Sequence, residues 1–263
     1  MEIIDQIFAK IYTLLDRAVD FLKHLTRLEI MFKLNEMSRK IHSSLIVLSI
    51  IFLTLLFIIL SVVSKSGLYI TYAVLSILGI LILSYLSKDF HGACEGLISA
   101  NKTTLRSNAI LRFYAILTLL IAVITFLASL VSFFTGDIDL SLLLLLYTLL
   151  LYINAGTLFN PSLINISISS DSTSGEDFIT IFSSGLKSFV YFERIISSLL
   201  ILSGIFQIIE IIIDYNFYFS DMYMAAGLIA GGIAFPLIAY LLFTILWFVN
   251  SLLLAILSLK KSN

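Results

Sequence analysis

The sequence predicts an all-α polytopic membrane protein, and two observations support this prediction. Hydrophobic residues make up 60% of the 263 residues and charged residues only 13%, about half the charged share of a soluble domain. Six apolar runs are long enough for a helix to cross the ~30 Å hydrocarbon core of a bilayer. We therefore expect six transmembrane helices in three hairpins, preceded by an amphipathic N-terminal helix. Cytoplasmic helical extensions and one short β-strand-like segment complete the predicted fold.

An amphipathic helix is predicted over residues 1–42, the first of two predicted domains. Apolar residues recur every three or four positions along it, and this stripe includes Ile11, Leu14 and Leu25. The helix either lies on the inner leaflet as an anchor or packs against a second copy or a partner. Acids and bases are mixed along it, so its attraction to anionic lipid is weak and protein contact is favoured. These dispersed charges also predict that no signal peptide is cleaved.

The six spans form the second predicted domain, residues 43–263. Their predicted bounds are about 45–63, 69–86, 113–134, 142–159, 195–213 and 224–248. Basic residues near spans stay in the cytoplasm, and only Lys65 of the 16 Lys and Arg falls in a loop on the opposite side. Both termini are therefore expected in the cytoplasm, with cytoplasmic connections at 88–112 and 160–194. Compact loops and the residue usage favour a bacterial inner membrane.

Span five carries a polar stripe near its outer end. Gln207, Glu210 and Asp214 are spaced by three and four residues and share one helix face. Ionisable groups inside spans often mark a transport path. Glu210 lies within about two turns of the outer surface, so a hydrated helix end is favoured and an ion or solute path is the alternative.

Span six contains a run of small residues, AAGLIAGGIAF. Gly227 and Gly231 are four residues apart, with Ala230 beside them. Small residues on one face let two helices approach closely within lipid. The partner helix is either another span of this chain, which is favoured, or a span of a second protomer.

The connection before span five begins with the polar run NPSLINISISSDSTSGEDFIT. Ile164, Ile166 and Ile168 alternate with polar residues, which is the period of a half-buried strand. This segment is either an extended loop that rests its isoleucines on the helical layer, which is favoured, or a strand that pairs with a neighbouring protomer or partner. Ser174 followed by Asp177 predicts a capping box at the start of the next helix.

The segment KDFHGACEG is the one place where several metal-ligating residue types come close together. Asp89, His91, Cys94 and Glu95 lie within it, but no second segment supplies the paired ligands that a zinc site needs. We therefore expect a solvated turn after span two, with no metal and no cofactor. No nucleophile-elbow or phosphate-loop motif occurs, which predicts that the protein is not an enzyme.

The leading functional hypothesis is a non-enzymatic, self-associating scaffold or an assembly subunit of a membrane complex. Its expected partners are the lipid bilayer and either copies of itself or a larger membrane assembly. A net charge of −1 without a basic stripe argues against nucleic-acid binding. A channel or small-solute transporter that uses the polar stripe of span five is the alternative.

Overall fold

A computed structural model describes residues 10, 13, 17, 20–21, 23–100, 102–214 and 218–261. Its helices and strands are α1 Leu28–Ser64, α2 Leu68–Ala100, β1 Thr103–Leu105, α3 Ala109–Phe134, α4 Ile138–Phe159, β2 Ile166–Ile168, α5 Ser174–Ile213 and α6 Phe219–Lys261. Each of the six helices contains a segment long and apolar enough to cross a membrane. The predicted set of six apolar helices is confirmed, and it is compatible with a multi-pass membrane protein.

Most of the helices extend beyond the predicted spans. α1 has 37 residues and passes through position 42, where the sequence predicted a domain boundary. A turn at Thr26, with the non-helical Arg27, interrupts the predicted N-terminal stripe just before α1 begins. At 1.5 Å per residue the 43 residues of α6 extend about 64 Å, roughly twice the bilayer core. The apolar run of α2 is not followed by a proline, which would end the helix. The helix therefore continues through the polar residues that follow, to Ala100.

The chain divides into two compact units. Unit 1 comprises the described residues of Met1–Leu34, Asn101–Ser188 and Leu253–Asn263. Unit 2 comprises Asn35–Ala100 and the described residues of Phe189–Leu252.

Unit 1 contains the helical hairpin of α3 and α4. Gly136 has a φ of +87° in the connecting turn, a conformation that favours glycine. The Asp137 carboxylate then accepts a hydrogen bond from the Leu140 backbone N–H at 3.1 Å, which caps α4. Between the two helices, the hydroxyls of Ser129 and Ser141 each donate to the other residue's carbonyl, at 2.9 and 3.0 Å. The connection between α3 and α4 therefore folds as a tight turn fixed by side-chain hydrogen bonds.

The isoleucine segment forms a strand that pairs within the chain. β2 lies parallel to β1, with Ile166 opposite Thr103 and Ile168 opposite Leu105. Ile164 precedes the strand in a short 3₁₀-helix, so it is not part of the expected alternation. Ile164 and Ile166 are buried, but Ile168 is 51% exposed. The favoured interpretation of this segment as an extended loop was therefore wrong. The partner strand β1 lies about 60 residues away in the same chain, and its sequence TTL is too short to show a period of its own.

The cap of α5 differs by one residue from the prediction. α5 begins at Ser174, so Thr173 is the N-cap, and its hydroxyl accepts from the Glu176 N–H at 3.3 Å. Glu176 Oε2 accepts from the Thr173 N–H at 2.7 Å, which completes a capping box. The predicted pair of Ser174 and Asp177 was therefore wrong. Asp177 instead accepts from the backbone N–H of Arg106 at 2.7 Å, which ties α5 to the end of β1.

Unit 2 has an apolar core made by α1, α2, α5 and α6. Its buried members are Leu45, Leu53, Leu56, Leu60, Ile80, Ile201, Ile205, Ile208, Ile211, Met222, Ala225, Ile229 and Ile233. Two glycines let α5 and α6 approach closely. A Cβ on Gly204 would lie 2.8 Å from the Ala225 carbonyl oxygen, and one on Gly232 would lie 2.9 Å from the Ser197 carbonyl oxygen.

Candidate functional site

A polar cavity of about 390 Å³ lies within unit 2. Its volume falls in the range of small-molecule sites. It is lined by Arg39, His42, Ser43, Ile46, Ser84, Ser87, Lys88, His91, Gly92, Glu95, Glu193, Arg194 and Pro236. Arg39, Ser43, Lys88, Gly92 and Glu95 are exposed and form its rim. The cavity therefore opens to the surface between two cations and one carboxylate, and its interior includes the buried Ser87, His91 and Glu193.

His91 lies at the buried centre of this lining, between two carboxylates. Its Nδ1 is 2.6 Å from Glu193 Oε1, and its Nε2 is 2.9 Å from Glu95 Oε1. The side chains of His91 and Glu193 are only 7% and 4% exposed, whereas that of Glu95 is 56% exposed. We call these three residues the histidine triad. One of its carboxylates is enclosed and the other is in contact with solvent.

The geometry of the triad shows that it holds an extra proton. A neutral imidazole has one ring nitrogen that can only accept a hydrogen bond. A carboxylate oxygen also only accepts, so a neutral histidine cannot bond to two ionised carboxylates at once. Either His91 is an imidazolium or one carboxyl group is protonated. In both cases the triad carries a net charge of −1 and one proton that can leave.

Arg194 lies beside the triad, but its guanidinium makes no close hydrogen bond to either carboxylate. Its Nη2 is 3.9 Å from Glu95 Oε1, which is an ion-pair distance and too long for a hydrogen bond. Its side chain is only 15% exposed, and its guanidinium makes no hydrogen bond with any described residue. The five N–H donors of this guanidinium therefore have unused bonding capacity next to the cavity.

His42 lies on the α1 side of the cavity, next to two serines of α5. Its Nδ1 is 3.3 Å from Ser198 Oγ and 3.4 Å from Ser197 Oγ. Both hydroxyls already donate to carbonyls, Ser198 to Arg194 and Ser197 to Gly232. The hydroxyls must therefore accept from His42, which places a proton on Nδ1.

Pro236 explains why a serine hydroxyl reaches the backbone of α6. Proline lacks an N–H, so the carbonyl of Gly232, four residues earlier, loses its helical donor. Ser197 Oγ donates to that carbonyl, and Ser87 Oγ donates to the adjacent Ile233 carbonyl at 2.7 Å. In a helix surrounded by apolar groups an unpaired carbonyl would cost several kcal/mol. The two serine hydroxyls thus bond to the α6 carbonyls four and three residues before Pro236, close to the triad.

One carboxylate oxygen of the triad remains unbonded. Glu193 Oε2 is buried and has no hydrogen-bond partner among the described residues. A small void of about 10 Å³ lies against Glu193, His91 and Cys94, which is about the volume that one water requires. The enclosed carboxylate therefore has room for one small hydrogen-bond donor.

The expectation of a solvated turn at KDFHGACEG was wrong. α2 continues to Ala100, and Ser87, His91, Cys94 and Ile98 form its buried face. These residues are spaced by three or four, which is helical spacing, but serine, histidine and cysteine at three of the four positions weaken the apolar signal. No group of three or more His, Cys, Asp or Glu among the described residues is arranged to hold a metal ion.

Unit 1 contains a buried cation, Lys187. Its side chain is fully buried, and Nζ donates to Thr103 Oγ1 at 3.1 Å and to the Asn165 carbonyl at 3.5 Å. Thr180 Oγ1 donates to the Thr104 carbonyl at 2.7 Å from the same helix. Lys187 and Thr180 therefore attach α5 to β1 and to the residue that precedes β2.

The predicted polar stripe does not meet other charged groups. Gln207 is half-buried, and its Oε1 is buried without a partner among the described residues. Glu210 and Asp214 are exposed, and their carboxylates make no hydrogen bond or ion pair with a described residue. The role of this stripe as a solute path stays a prediction.

The small residues of span six that were predicted to pack lie on an exposed face of α6. Gly227, Ala230 and Gly231 are not buried, and a Cβ on either glycine would meet nothing within 4 Å. Close helix packing inside unit 2 instead occurs at Gly204 and Gly232. The intermolecular use of the exposed face stays a prediction.

The N-terminal residues predicted to pack are described only in part. Leu25 is 39% exposed, and its carbonyl accepts a hydrogen bond from the Tyr152 hydroxyl. Ile11 and Leu14 lie outside the described residues.

The histidine triad could not have been recognised directly from the sequence, because Glu193 lies 102 residues from His91. One local signal was available. The dipeptide Glu193–Arg194 interrupts the otherwise apolar and hydroxyl-bearing run FVYFERIISS, and charges within such a run are costly unless they are paired. That cost predicts a buried partner for Glu193, and His91 is one of the few polar candidates.

Comparisons of the chain with protein-family models, with curated proteins and with solved structures each find no match. A function must therefore be inferred from the geometry of the site itself.

Proposed function

We propose that the protein is a membrane carrier that takes a small polar solute into the cavity of unit 2. Binding of the solute is coupled to the proton held by the histidine triad. The observation that supports this function best is the buried pair of His91 and Glu193, joined at 2.6 Å beside an open polar cavity. Ionisable groups kept among apolar helices are expensive, and they commonly serve as proton relays or solute sites.

The coupling follows from the charges of the triad. A solute that donates a hydrogen bond to Glu193 Oε1 or to Glu95 Oε1 competes with His91 for that oxygen. When a solute cation replaces the imidazolium, the proton leaves. When a solute anion approaches Arg194, the proton is retained more strongly. Solute binding and proton binding are thus linked through shared groups.

The carrier function is tested in proteoliposomes that enclose a pH-sensitive dye. Inorganic phosphate, amino acids, sugars and nucleosides are added outside, one at a time, and the internal pH is followed. We expect at least one solute to change the internal pH faster than in protein-free liposomes. Glu193→Gln should abolish this response, whereas Glu29→Gln, at an exposed position of α1, should preserve it. Equal rates with and without the protein across the panel would contradict the carrier function.

A second candidate is the self-associating scaffold or assembly subunit, placed in a bacterial inner membrane with both termini in the cytoplasm. The outward-facing surface of Gly227, Ala230 and Gly231 supports it, because a second helix could approach the α6 backbone there. Light scattering of the protein in mild detergent should then show an oligomer that Gly227→Leu combined with Gly231→Leu converts to a monomer. A monomer in the unmodified protein argues against this candidate.

A further inference from the structure

We propose that the polar cavity of unit 2 is a phosphate site, in which Arg194, Arg39 and Lys88 bind the oxygens of a phosphate group. The phosphate is carried either by a soluble compound or by a lipid head group. This inference rests on the proposed carrier function and names the chemical class of its solute.

Arg194 is the first reason to expect an oxyanion. The side chain of Arg194 is 15% exposed and lines the cavity, and its guanidinium makes no hydrogen bond with a described residue. Its N–H donors are not fully buried, so a ligand that enters the cavity can reach them. A planar guanidinium matches two oxygens of a phosphate or carboxylate at once. An anion with several acceptor oxygens is therefore the ligand that matches Arg194 best.

The charge of the lining distinguishes phosphate from carboxylate. The triad carries a net charge of −1, because its two carboxylates share one extra proton with His91. Three cations, Arg39, Lys88 and Arg194, line the same cavity. The cavity thus has an excess of two positive charges. A phosphate monoester carries between about 1.5 and 2 negative charges at pH 7, whereas a single carboxylate would neutralise only half of the excess.

The two rim cations are available to a ligand. The side chains of Arg39 and Lys88 are exposed and make no hydrogen bond or ion pair with any described residue. Their neighbour Lys40, in contrast, is paired with Glu36 at 2.8 Å. Lys40 is adjacent to Arg39 in sequence but does not line the cavity. The chain therefore supplies a matched control for the rim.

The location of the cavity admits both sources of phosphate. Ser84 lies in the last turn of predicted span two, and Ser87 follows that span directly, at the end that the distribution of basic residues predicts to be cytoplasmic. Soluble phosphates and the head groups of the inner leaflet both reach this level, where basic pockets between helices bind anionic lipids.

The test is calorimetric titration of the purified full chain in a mild, phosphate-free detergent at constant ionic strength. The two probes are inorganic phosphate and dihexanoyl phosphatidic acid, with acetate as the carboxylate control. We expect saturable binding of at least one phosphate probe and weaker binding of acetate. Arg194→Gln should weaken the phosphate affinity by about tenfold or more, the loss expected for a hydrogen-bonded charge pair. Arg39→Gln and Lys88→Gln should each weaken it less, and Lys40→Gln should leave it unchanged.

Each outcome decides the proposal. Binding of inorganic phosphate identifies a soluble source, and binding of the lipid probe alone identifies a head group. Absence of binding by both probes, or binding that Arg194→Gln and Lys88→Gln leave unchanged, overturns the phosphate site. If Arg194→Gln does not fold, Arg194→Lys and Lys88→Gln take its place.

The failures of the two proposals are distinguishable. A pH response to a non-phosphate solute that Glu193→Gln abolishes, without phosphate binding, overturns only the phosphate site. Phosphate binding without any solute-dependent pH response overturns only the carrier function.

Discussion

Both units bury a charged side chain, but the groups that bond to it differ in charge. In unit 1, Lys187 is enclosed and donates to neutral oxygens at the two-stranded sheet. In unit 2, His91 lies between two carboxylates, next to an incompletely bonded arginine and an open cavity. The first arrangement holds chain segments together. The second leaves hydrogen-bonding capacity beside an open cavity, and the proposed function depends on this difference.

The same contrast appears in the glycines at which helices approach each other. In unit 1, the atoms nearest to a Cβ on Gly156 would belong to the flexible side chain of Met31. In unit 2, a Cβ on Gly232 would meet the backbone of Ser197 and Ile201 at 2.9 Å. Unit 1 can therefore adjust to added volume, whereas the helix pair that bears Glu193 and Pro236 has little freedom to move.

The largest effect on stability is expected at the buried end of the triad. Glu193→Ala leaves His91 enclosed without its shorter hydrogen bond, and removal of one partner of a buried pair costs about 3–5 kcal/mol. Glu95→Gln is the matched control in the same triad, and because Glu95 is 56% exposed it should cost less than about 1 kcal/mol. Reversible unfolding in mixed detergent and SDS micelles measures both. Equal losses in the free energy of unfolding would show that the buried Glu193 contributes no more to stability than the exposed Glu95.

The next effect concerns the neighbouring glycines of α6. Gly232→Ala forces a methyl group against the α5 backbone and should destabilise the protein by about 1–3 kcal/mol. Gly231→Ala, one residue earlier and exposed, should be neutral or stabilising by up to about 1 kcal/mol, because alanine is the better helix former. Gly156→Ala in unit 1 should fall between them, since Met31 can move. The same unfolding assay ranks the three variants by their loss of unfolding free energy. A loss for Gly231→Ala as large as that for Gly232→Ala would contradict the packing described for unit 2.

A smaller effect is expected at the buried lysine of unit 1. Lys187→Met removes the hydrogen bonds to Thr103 and Asn165 but also removes a buried charge, so the net loss should be about 1 kcal/mol. Hydrogen exchange of the Thr103 and Ser169 amides, which bond across the sheet, should become faster. The exposed Lys102→Met is the control and should leave exchange unchanged. Slower exchange in Lys187→Met would show that the lysine strains the sheet.

The smallest effect is expected at Thr180. Thr180→Val keeps the shape of the side chain but removes the hydrogen bond to the Thr104 carbonyl, for an expected loss of about 0.5–1.5 kcal/mol. Faster exchange should be confined to amides of β1 and β2. Unchanged exchange would mean that the contact between Thr180 and the sheet contributes nothing to its stability.

The sequence predicted the six helices because apolar runs of about 20 residues match the length that a helix needs to cross a bilayer. The alternation of Ile166 and Ile168 with polar residues indicated a strand only as the alternative to the favoured extended loop, and it did not indicate a partner within the chain. The sequence did not reveal β1, because three residues carry too little pattern. The extension of α2 through His91 was missed because polar residues at buried positions weaken the apolar period by which helices are recognised.

The site was predictable only in part. Asp89, His91, Cys94 and Glu95 were recognised as a concentration of reactive side chains, but the segment was expected to be a turn. In the structure His91 and Glu95 of that set contact each other, and Glu193 of α5 contacts His91 as well. Pairing across about a hundred residues depends on tertiary packing, which no local pattern encodes.

The central claim is that the buried charge of unit 2 is a protonated group available for exchange. It is tested most directly by the ring-nitrogen NMR signals of the three histidines in ¹⁵N-histidine-labelled protein, assigned with His24→Gln and His42→Gln. We predict that near neutral pH either both His91 nitrogens carry protons or the unprotonated nitrogen accepts a hydrogen bond from a protonated carboxyl group, and that Glu193→Gln shifts the Nδ1 signal in either case. His91 nitrogen signals that Glu193→Gln leaves unchanged would contradict the claim.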